Sequence, residues 1–251
     1  MAEGDTILRA ARRLDAALTG EIVNAGAPNP RGRAAGIERL DGCRLESVES
    51  HGKNLLLRFG DLALHSHMGM NGSWHVYPRG GRWRKPRRSA WAVLAGESSE
   101  AIQFGGPTLR VIPATRLPRD PQLSRLGADV LAPDFDPDRV VAVLRADPAR
   151  TLGDALLDQT LVAGIGNIFK SEACFAARVD PWRRVGDVGD DDLRAVLRAA
   201  RELMLEAVAS GRHTYAVYRG RRPCPVCDGR ISSRGQGDAN RTTYWCPVCQ
   251  L

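Results

Sequence analysis

The sequence contains no long apolar run, and none of its hydrophobic stretches approaches the roughly 18 residues of a membrane-spanning helix. It also lacks the basic and then apolar start of a secretory signal, since Glu3 and Asp5 stand in that place. These absences exclude a membrane-embedded class and lead us to expect a cytoplasmic protein with reduced thiols. Six cysteines in a reducing compartment indicate metal ligands or buried thiols rather than disulfides.

The length and the charge of the chain set broad limits. At 251 residues it has room for two domains and a small appendage, and its 43% hydrophobic content suffices to bury cores. The net charge is +7 and the isoelectric point is about 9.4, so a polyanion is the natural partner. Many basic proteins bind nothing anionic, and the charge alone therefore defines no function.

The first twenty residues predict a helix preceded by a short lead. Asp5 is placed to cap this helix and Gly20 to close it. Its apolar positions recur at helical spacing: Ile7, Ala11, Leu14 and Leu18. The lead, Ala2 and Glu3, is either a frayed terminus or a free α-amine held beside a carboxylate. Since an α-amine has a pKa of about 7.7–8.0 against about 10.4 for lysine, a terminal amine is a usable nucleophile, and Glu3 is a candidate general acid or base.

The region from Cys43 to Ile112 has the pattern of a β-domain. Short apolar segments alternate there with Gly, Asp or Ser turns, which predicts a sandwich or a partly open barrel. The predicted strands are CRLESVES, KNLLLRF, DLALHSH, GSWHVY, AWAVLAG, AIQF and TLRVI. Lys53, in HGKNLLLRF, is by itself an exposed lysine at a strand end.

Two polar segments of this region have competing interpretations. His65 and His67 share a strand face, but two histidines without a third ligand are more often structural, so we predict no metal there. The segment RGGRWRKPRR (79–88) holds six basic residues. It is either a solvated loop or a loop that lies along phosphates, in which case each contact adds about one unit to the salt dependence of binding.

A proline-containing segment, PATRLPRDP (113–121), predicts a domain boundary. Beyond it, an amphipathic helix is expected from Asp191 to Ser210, ended by Gly211. Its predicted core stripe is Leu193, Val196, Leu197, Ala200, Leu203, Met204 and Val208. We expect three domains, 1–115, 116–220 and 221–251.

The stretch LGDALLDQTLVAGIGNIFKSEACF (152–175) is predicted to form two helices around a glycine turn. Leu156, Leu157 and Leu161 give the first helix an apolar face, and Asn167 after Gly166 is a good N-cap for the second. A helix N-terminus behind a glycine turn suits a phosphate. The alternative is an ordinary helix–turn–helix corner buried in a core.

Two CxxC pairs near the end of the chain predict a Zn²⁺ site. Cys224-Pro-Val-Cys227 and Cys246-Pro-Val-Cys249 lie 18 residues apart, and the segment between them predicts a β-hairpin. Cys43 and Cys174 are left over as buried thiols. Zinc ribbons also occur in RNA-binding and purely structural modules, so this motif alone does not give a function.

Taken together and in this order, these motifs resemble the formamidopyrimidine-DNA glycosylase/endonuclease VIII family of base-excision repair enzymes. The resemblance is carried by GIGNIF with SEACFAARVDP, by HGKNLLLRF, by HSHMGMNGSW and by the cysteine quartet. It implies an α+β fold: an N-terminal helix with a β-sandwich, a helix–two-turn–helix domain and a C-terminal zinc-finger hairpin. It also implies a monomer that acts on damaged DNA in the cytoplasm, associated with the nucleoid.

The resemblance assigns roles in catalysis to four residues. The amine of Ala2 would attack C1′ of the sugar after Met1 is removed, and Glu3 would protonate the ring oxygen. Lys53 would assist β-elimination, and Arg241, at the start of the returning hairpin strand, would assist δ-elimination.

Other residues would contact the DNA. Met70 would fill the gap left by an everted base, and Arg125 and Asn167 would hold phosphates near the lesion. For Glu172, early in the second helix of the motif, a role in holding the N-terminal amine and a surface role are both open.

The sequence departs from the family pattern in three places. The family begins Met-Pro-Glu, whereas position 2 here is Ala, which gives a primary amine. The family's Arg–Phe pair has no counterpart in FGGPTLRV (104–111), so contacts to the opposite base must differ. Only 12 residues separate Gly211 from Cys224, which leaves no room for the long loop of the formamidopyrimidine branch. The short connection favours the endonuclease VIII branch and oxidised pyrimidines.

Two rival functions follow from these departures. One is a non-catalytic damaged-DNA binder that lost turnover with the proline. The other is a zinc-ribbon RNA-binding protein, for which an abasic site would be no better a ligand than intact DNA.

Overall fold

The computed structural model describes residues 2–220, 222–238 and 240–251. It divides into two compact units, the first ending at Arg125 and the second beginning at Leu126. The predicted three-part division into 1–115, 116–220 and 221–251 stays a prediction. Among the described residues, none of the helices combines the length and the apolarity that a bilayer crossing requires.

Unit 1 opens with helix α1 (Gly4–Leu18), which buries the apolar residues expected from helical spacing. The predicted cap is wrong. Glu3 occupies the N-cap position, and Asp5 is a buried residue of the first turn. The helix starts two residues earlier than expected because Ile7 N–H already donates to the Glu3 carbonyl, at 3.1 Å. At the other end, Gly20 has φ +90°, the left-handed conformation that ends helices and suits glycine.

Two four-stranded antiparallel sheets form the predicted sandwich. One sheet has the order β2-β3-β4-β8, with β2 Ser47–His51, β3 Asn54–Phe59, β4 Leu62–His67 and β8 Thr108–Pro113. The other has the order β1-β6-β7-β5, with β1 Asn24–Gly26, β5 Ser73–Pro78, β6 Ala90–Ala95 and β7 Ser99–Phe104. Leucines of both sheets and the apolar face of α1 share one core. A short helix α2 (Pro30–Ala34) follows β1.

Unit 2 is helical with a terminal hairpin. Its elements are β9 Ala128–Asp129, α3 Pro137–Leu144, α4 Leu152–Ala155, β10 Val162–Ala163, α5 Asn167–Ala176, α6 Asp190–Ser210, β11 Ser232–Gln236 and β12 Arg241–Trp245. Helix α6 is the predicted amphipathic helix, ended by Gly211 at φ +71°. Strands β11 and β12 form the predicted antiparallel hairpin.

The two-helix motif differs from the prediction in two details. Helix α4 ends at Ala155, so Leu156, Leu157 and Leu161 lie in the turns after it. The N-cap of α5 is Gly166, and Asn167 is already helical. The amide of Asn167 donates instead to the Thr242 carbonyl of the hairpin, at 2.7 Å, and this tertiary contact takes the side chain away from its local capping role.

Candidate functional site

One end of the unit 1 sandwich gathers the predicted N-terminal residues around a tight turn. The turn joins β4 to β5, carries Met70 at its tip, and is closed by Gly72 N–H donating to the Met68 carbonyl at 2.8 Å. The backbone nitrogen of Ala2 donates to the carbonyl of Gly69 in this turn, at 3.3 Å. Met1, whose removal was predicted, lies outside the described residues. The structure thus holds the candidate nucleophile, Ala2, at the residue that directly precedes Met70.

The turn depends on its glycines. Gly69 has φ +59°, and a Cβ there would lie 2.6 Å from the Pro107 ring. A Cβ on Gly72 would lie 2.4 Å from the Met68 carbonyl oxygen. Any larger residue at either position would move the turn, and with it Met70, whose side chain is 59% exposed.

Glu3 is completely buried at the N-terminus of α1. A carboxylate is stabilised there by the helix dipole. The side chain makes no capping hydrogen bond, and Glu3 directly follows Ala2 in the chain.

Lys53 lies at the same end of the sandwich. It occupies the two-residue turn between β2 and β3, in which Gly52 has φ +56° and His51 pairs with Asn54. Asn54 in turn pairs with His67, the last residue of β4. The half-buried lysine therefore stands where β4 enters the turn that holds Ala2.

His67 is a site residue that the sequence reasoning missed. Its Nδ1 is buried and, within the part of the chain that the structure describes, has no hydrogen-bond partner. Burial lowers the pKa of His67, and the positive charge of Lys53 lowers it further. A neutral imidazole with one uncommitted nitrogen beside a lysine is suited to bind a ligand oxygen. The motif HSHMGMNGSW contains this histidine, but the sequence alone favours a structural role for it.

In His65, by contrast, both ring nitrogens have hydrogen-bond partners within the protein. Its Nε2 lies 2.8 Å from Asn54 Oδ1, and its Nδ1 accepts from Arg110 at 3.0 Å. Arg110 also donates to Asp120, at 2.7 Å. Because arginine is always cationic, the ring must be the neutral Nε2–H tautomer. His65 thereby fixes Asn54, the residue that follows Lys53.

A cavity of about 470 Å³ adjoins this end of the sandwich. Its walls include Met68 and Gly72 of the Ala2-binding turn, and Thr6 of α1. Trp74, whose indole N–H donates to Ser66 at 3.1 Å, forms part of its lining. Arg9, Arg13 and Arg84 add positive charge to it.

The basic segment 79–88 is anchored to the sheet rather than loose. Its Trp83 indole donates to Glu100 at 2.6 Å, and Lys85 donates to Ser73 at 3.1 Å. All five of its arginines are exposed: Arg79, Arg82, Arg84, Arg87 and Arg88. That they lie along phosphates stays a prediction.

Unit 2 contains the cysteine cluster. The Sγ atoms of Cys224, Cys227, Cys246 and Cys249 all lie within 4.8 Å of one another. The Cys224–Cys249 and Cys227–Cys246 separations are 3.7 and 3.5 Å. A tetrahedral zinc with Zn–S bonds of about 2.3 Å requires S–S separations of about 3.8 Å. The four thiols therefore fit a zinc ion, and no other side chain is needed to complete the site.

Helix α5 holds the hairpin strand that carries Arg241. Besides the Asn167 amide on Thr242, the fully buried Lys170 donates to the Thr243 hydroxyl at 2.6 Å. Arg241 itself is exposed at the start of β12. The structure thus links Asn167 and Arg241 through one strand. Arg125 is exposed at the end of unit 1.

Glu172 does not lie on the surface. It is buried, and its carboxylate accepts from the backbone N–H groups of Ala216, Val217 and Tyr218, at 2.7, 3.0 and 2.7 Å. Burial raises the pKa of Glu172, and the three N–H groups oppose that rise. Glu172 therefore holds the segment between α6 and the first cysteine pair.

Comparison with known proteins agrees with this architecture. Residues 1–107 match the sequence model described as the formamidopyrimidine-DNA glycosylase N-terminal domain, and residues 126–218 match that of the formamidopyrimidine-DNA glycosylase H2TH domain. The chain is 39% identical to the "Probable endonuclease 8 2" of Streptomyces coelicolor, over 100% of this chain and 94% of that protein. It is 34% identical to the "DNA-(apurinic or apyrimidinic site) lyase Nei2" of Mycolicibacterium smegmatis, over 100% and 99%.

Among solved structures, the Lactococcus lactis formamidopyrimidine-DNA glycosylase, in a non-covalent complex with DNA containing an AP site, superposes with a TM-score of 0.85. The match covers 100% of both chains at 22% identity. At this identity the likeness establishes the fold.

Proposed function

Because the chain belongs to the formamidopyrimidine-DNA glycosylase/endonuclease VIII family, we propose that it is a base-excision repair DNA glycosylase with AP lyase activity. Its substrates would be oxidised bases, pyrimidines above all. The observation that carries the proposal is the Ala2 nitrogen held at Gly69 in the turn of Met70, with the buried Glu3 beside it. The two relatives described above have names that refer to endonuclease 8 and to AP lyase.

The proposed chemistry starts from the free amine of Ala2. The amine attacks C1′ of an everted nucleotide, and a C1′–N bond to the protein forms as the bond from C1′ to the base breaks. The base leaves with the bonding electron pair and takes up the proton that the amine loses. Glu3 supplies a proton to the sugar ring oxygen, so the ring opens to a Schiff base. The everted base would occupy the cavity lined by Thr6, Met68 and Gly72 while Met70 fills the vacated stack.

Strand cleavage would follow by elimination. A proton leaves C2′ with help from Lys53, and the 3′ phosphate departs. Arg241 would assist the second elimination at the 5′ side. The neutral His67 would bind a phosphate oxygen next to Lys53, and Arg125 and Asn167 would bind the flanking phosphates. Zinc on the four cysteines would supply structural cross-linking of the hairpin that carries Arg241.

Incubation with duplexes that contain thymine glycol, dihydrouracil, 8-oxoguanine or an abasic site tests this proposal. Base release and strand nicking are scored separately. We expect release of the oxidised pyrimidines and nicking of the abasic strand. Neither release nor nicking on any of the four duplexes would contradict the proposal.

A second function, a damaged-DNA binder with weak or no turnover, is favoured by one observation. Ala2 yields a primary amine, and its imine must be protonated before it draws electrons as the proline iminium does. Ala2→Pro separates the two functions. A large gain in nicking on this substitution would favour the binder, whereas comparable nicking by both proteins would favour the enzyme.

A further inference from the structure

A row of aromatic rings in unit 2 begins in the interior and reaches the surface. It runs from Phe169 through His213, Tyr215 and Tyr218 to Tyr244, with successive centroids 5.6, 6.0, 5.3 and 5.2 Å apart. The middle members belong to the short connection between α6 and the first cysteine pair. Tyr215 is 38% exposed, so the row reaches solvent at its centre.

Arg219 stands over the exposed part of this row. Its guanidinium carbon lies 5.8 Å from the ring centroids of both Tyr215 and Tyr218. These distances are close to the upper limit of about 6 Å for a cation–π contact. The guanidinium therefore contacts both rings and does not stack closely on either of them. We name Tyr215, Tyr218 and Arg219 the tyrosine–arginine platform.

The backbone of Arg219 is in a conformation that arginine avoids. Its φ is +74°, and Gly220 follows at φ +54°. A residue with a Cβ is destabilised in this region by crowding against its own backbone, whereas glycine is not. Glu172 holds the three preceding N–H groups, so the surrounding structure imposes the strained conformation. The Arg219 side chain is thereby held beside the two tyrosine rings.

The chemistry of the platform fits one class of ligand. Tyrosine rings and a planar guanidinium stack on nucleobases, and the guanidinium also pairs with a phosphate. A base inside a duplex has both faces covered by its neighbours, so only an unpaired base offers a face. We propose that the tyrosine–arginine platform binds undamaged single-stranded DNA, one base and its phosphate at a time. The proposal rests on the proposed function in one respect, that DNA is the polymer bound.

The experiment measures binding of a labelled 15-nucleotide oligothymidine, and of an intact duplex of equal length, by fluorescence anisotropy at several salt concentrations. Arg219→Gly removes the platform cation and relieves the strain. Arg219→Lys keeps the charge and the strain but loses the planar group. The matched control is Arg178→Gly, since Arg178 is also exposed and has φ +58°.

We expect Arg219→Gly to weaken oligothymidine binding about tenfold and duplex binding much less. Arg219→Lys should preserve the salt slope and lose most of the preference for the single strand. Arg219→Gly and Arg178→Gly should both raise the Tm by about 2 °C, because both relieve the same strain. Only the first should change binding.

Oligothymidine affinity within twofold of the unsubstituted protein in Arg219→Gly would overturn the proposal. So would equal losses on single strand and duplex, or an equal loss in Arg178→Gly. Because the probe carries no lesion, the outcome is separate from catalysis: a protein that nicks no abasic DNA can still show the platform effect, and one that nicks normally can lack it.

Discussion

The imidazole of His65 is fully buried, and both of its nitrogens are engaged, one by Asn54 and one by Arg110. Burial, and after it the positive charge of Arg110, lowers the pKa of His65 from 6.5 to about 4. Above pH 6.5 the ring is neutral in both the folded and the unfolded chain, and it contributes no pH dependence. As the pH falls below 6.5, His65 binds a proton in the unfolded chain but stays neutral in the folded chain until the pH approaches 4.

We therefore predict that the free energy of unfolding falls by about 2 kcal/mol between pH 7 and pH 5 on account of His65 alone. Urea unfolding at a series of pH values measures this. His65→Gln should be less stable at pH 7 but should lose about that much of the pH dependence. A variant that keeps the full dependence would show that other groups cause it.

Arg125 and Asn167 allow a second prediction at the same scale. Arg125→Ala should weaken binding to damaged and intact duplexes alike and lower the salt slope by about one unit, because one phosphate contact is lost. Asn167→Ala should weaken binding with little change in slope, because the amide is uncharged. Arg12→Ala, on the exposed face of α1, is the control. A salt slope that Arg125→Ala leaves unchanged would remove this residue from the set of contacts.

Residue identities were predictable where a motif fixes them, and less so where packing does. The cysteine quartet and the lead before α1 could be read directly. The sequence predicts only a structural role for His67, because its place in the candidate site depends on a buried nitrogen that has no hydrogen-bond partner among the described residues, which no spacing in the sequence reveals. The cap assigned to Asn167 was wrong because a hairpin 75 positions away engages its amide.

Among the elements, those with strong periodicity were predicted well. Helices α1 and α6 and seven of the eight sandwich strands follow from spacing. Strand β1 has only three residues and was missed, since so short a segment has no measurable alternation. Helix α4 has one turn, and its end at Ala155 is decided by backbone contacts of the following turns.

The segment held by Glu172 provides a prediction at this scale. Glu172→Gln keeps the shape but removes the charge and one of the two acceptor oxygens, so unit 2 should lose about 1–2 kcal/mol of stability. The backbone N–H groups of Ala216, Val217 and Tyr218 should exchange with solvent faster. Glu202→Gln, exposed on α6, is the control. Unchanged hydrogen exchange at these three positions would contradict the role of Glu172 in holding this segment.

For the molecule as a whole, the resemblance in sequence was sufficient to predict the family and the fold. What could not be predicted is how residues far apart in sequence converge, such as the carbonyl of Gly69 on the nitrogen of Ala2. Those contacts depend on the packing of two sheets and one helix. The predicted monomer stays a prediction.

Metal content tests the organisation of the hairpin. We expect one zinc per chain by elemental analysis, and we expect chelation to abolish nicking because the hairpin loses its anchor and the protein no longer binds DNA. Cys249→Ser should lose the metal. Cys43→Ser should keep it, since Cys43 belongs to unit 1 and its thiol lies 3.7 and 3.9 Å from the carbonyl oxygens of Arg39 and Asp41. A metal-free protein that still nicks abasic DNA would contradict this account.

The central claim is that the Ala2 amine is the nucleophile, and trapping the Schiff base tests it most directly. The protein is incubated with an abasic duplex and borohydride, and the cross-linked peptide is mapped by mass spectrometry. Competing primary amines are few, since the chain has three lysines, Lys53, Lys85 and Lys170, and the last is fully buried. We predict attachment at the α-amine of Ala2, in a chain that has lost Met1. Attachment at Lys53, or a cross-link formed by a chain that retains Met1, would contradict the claim.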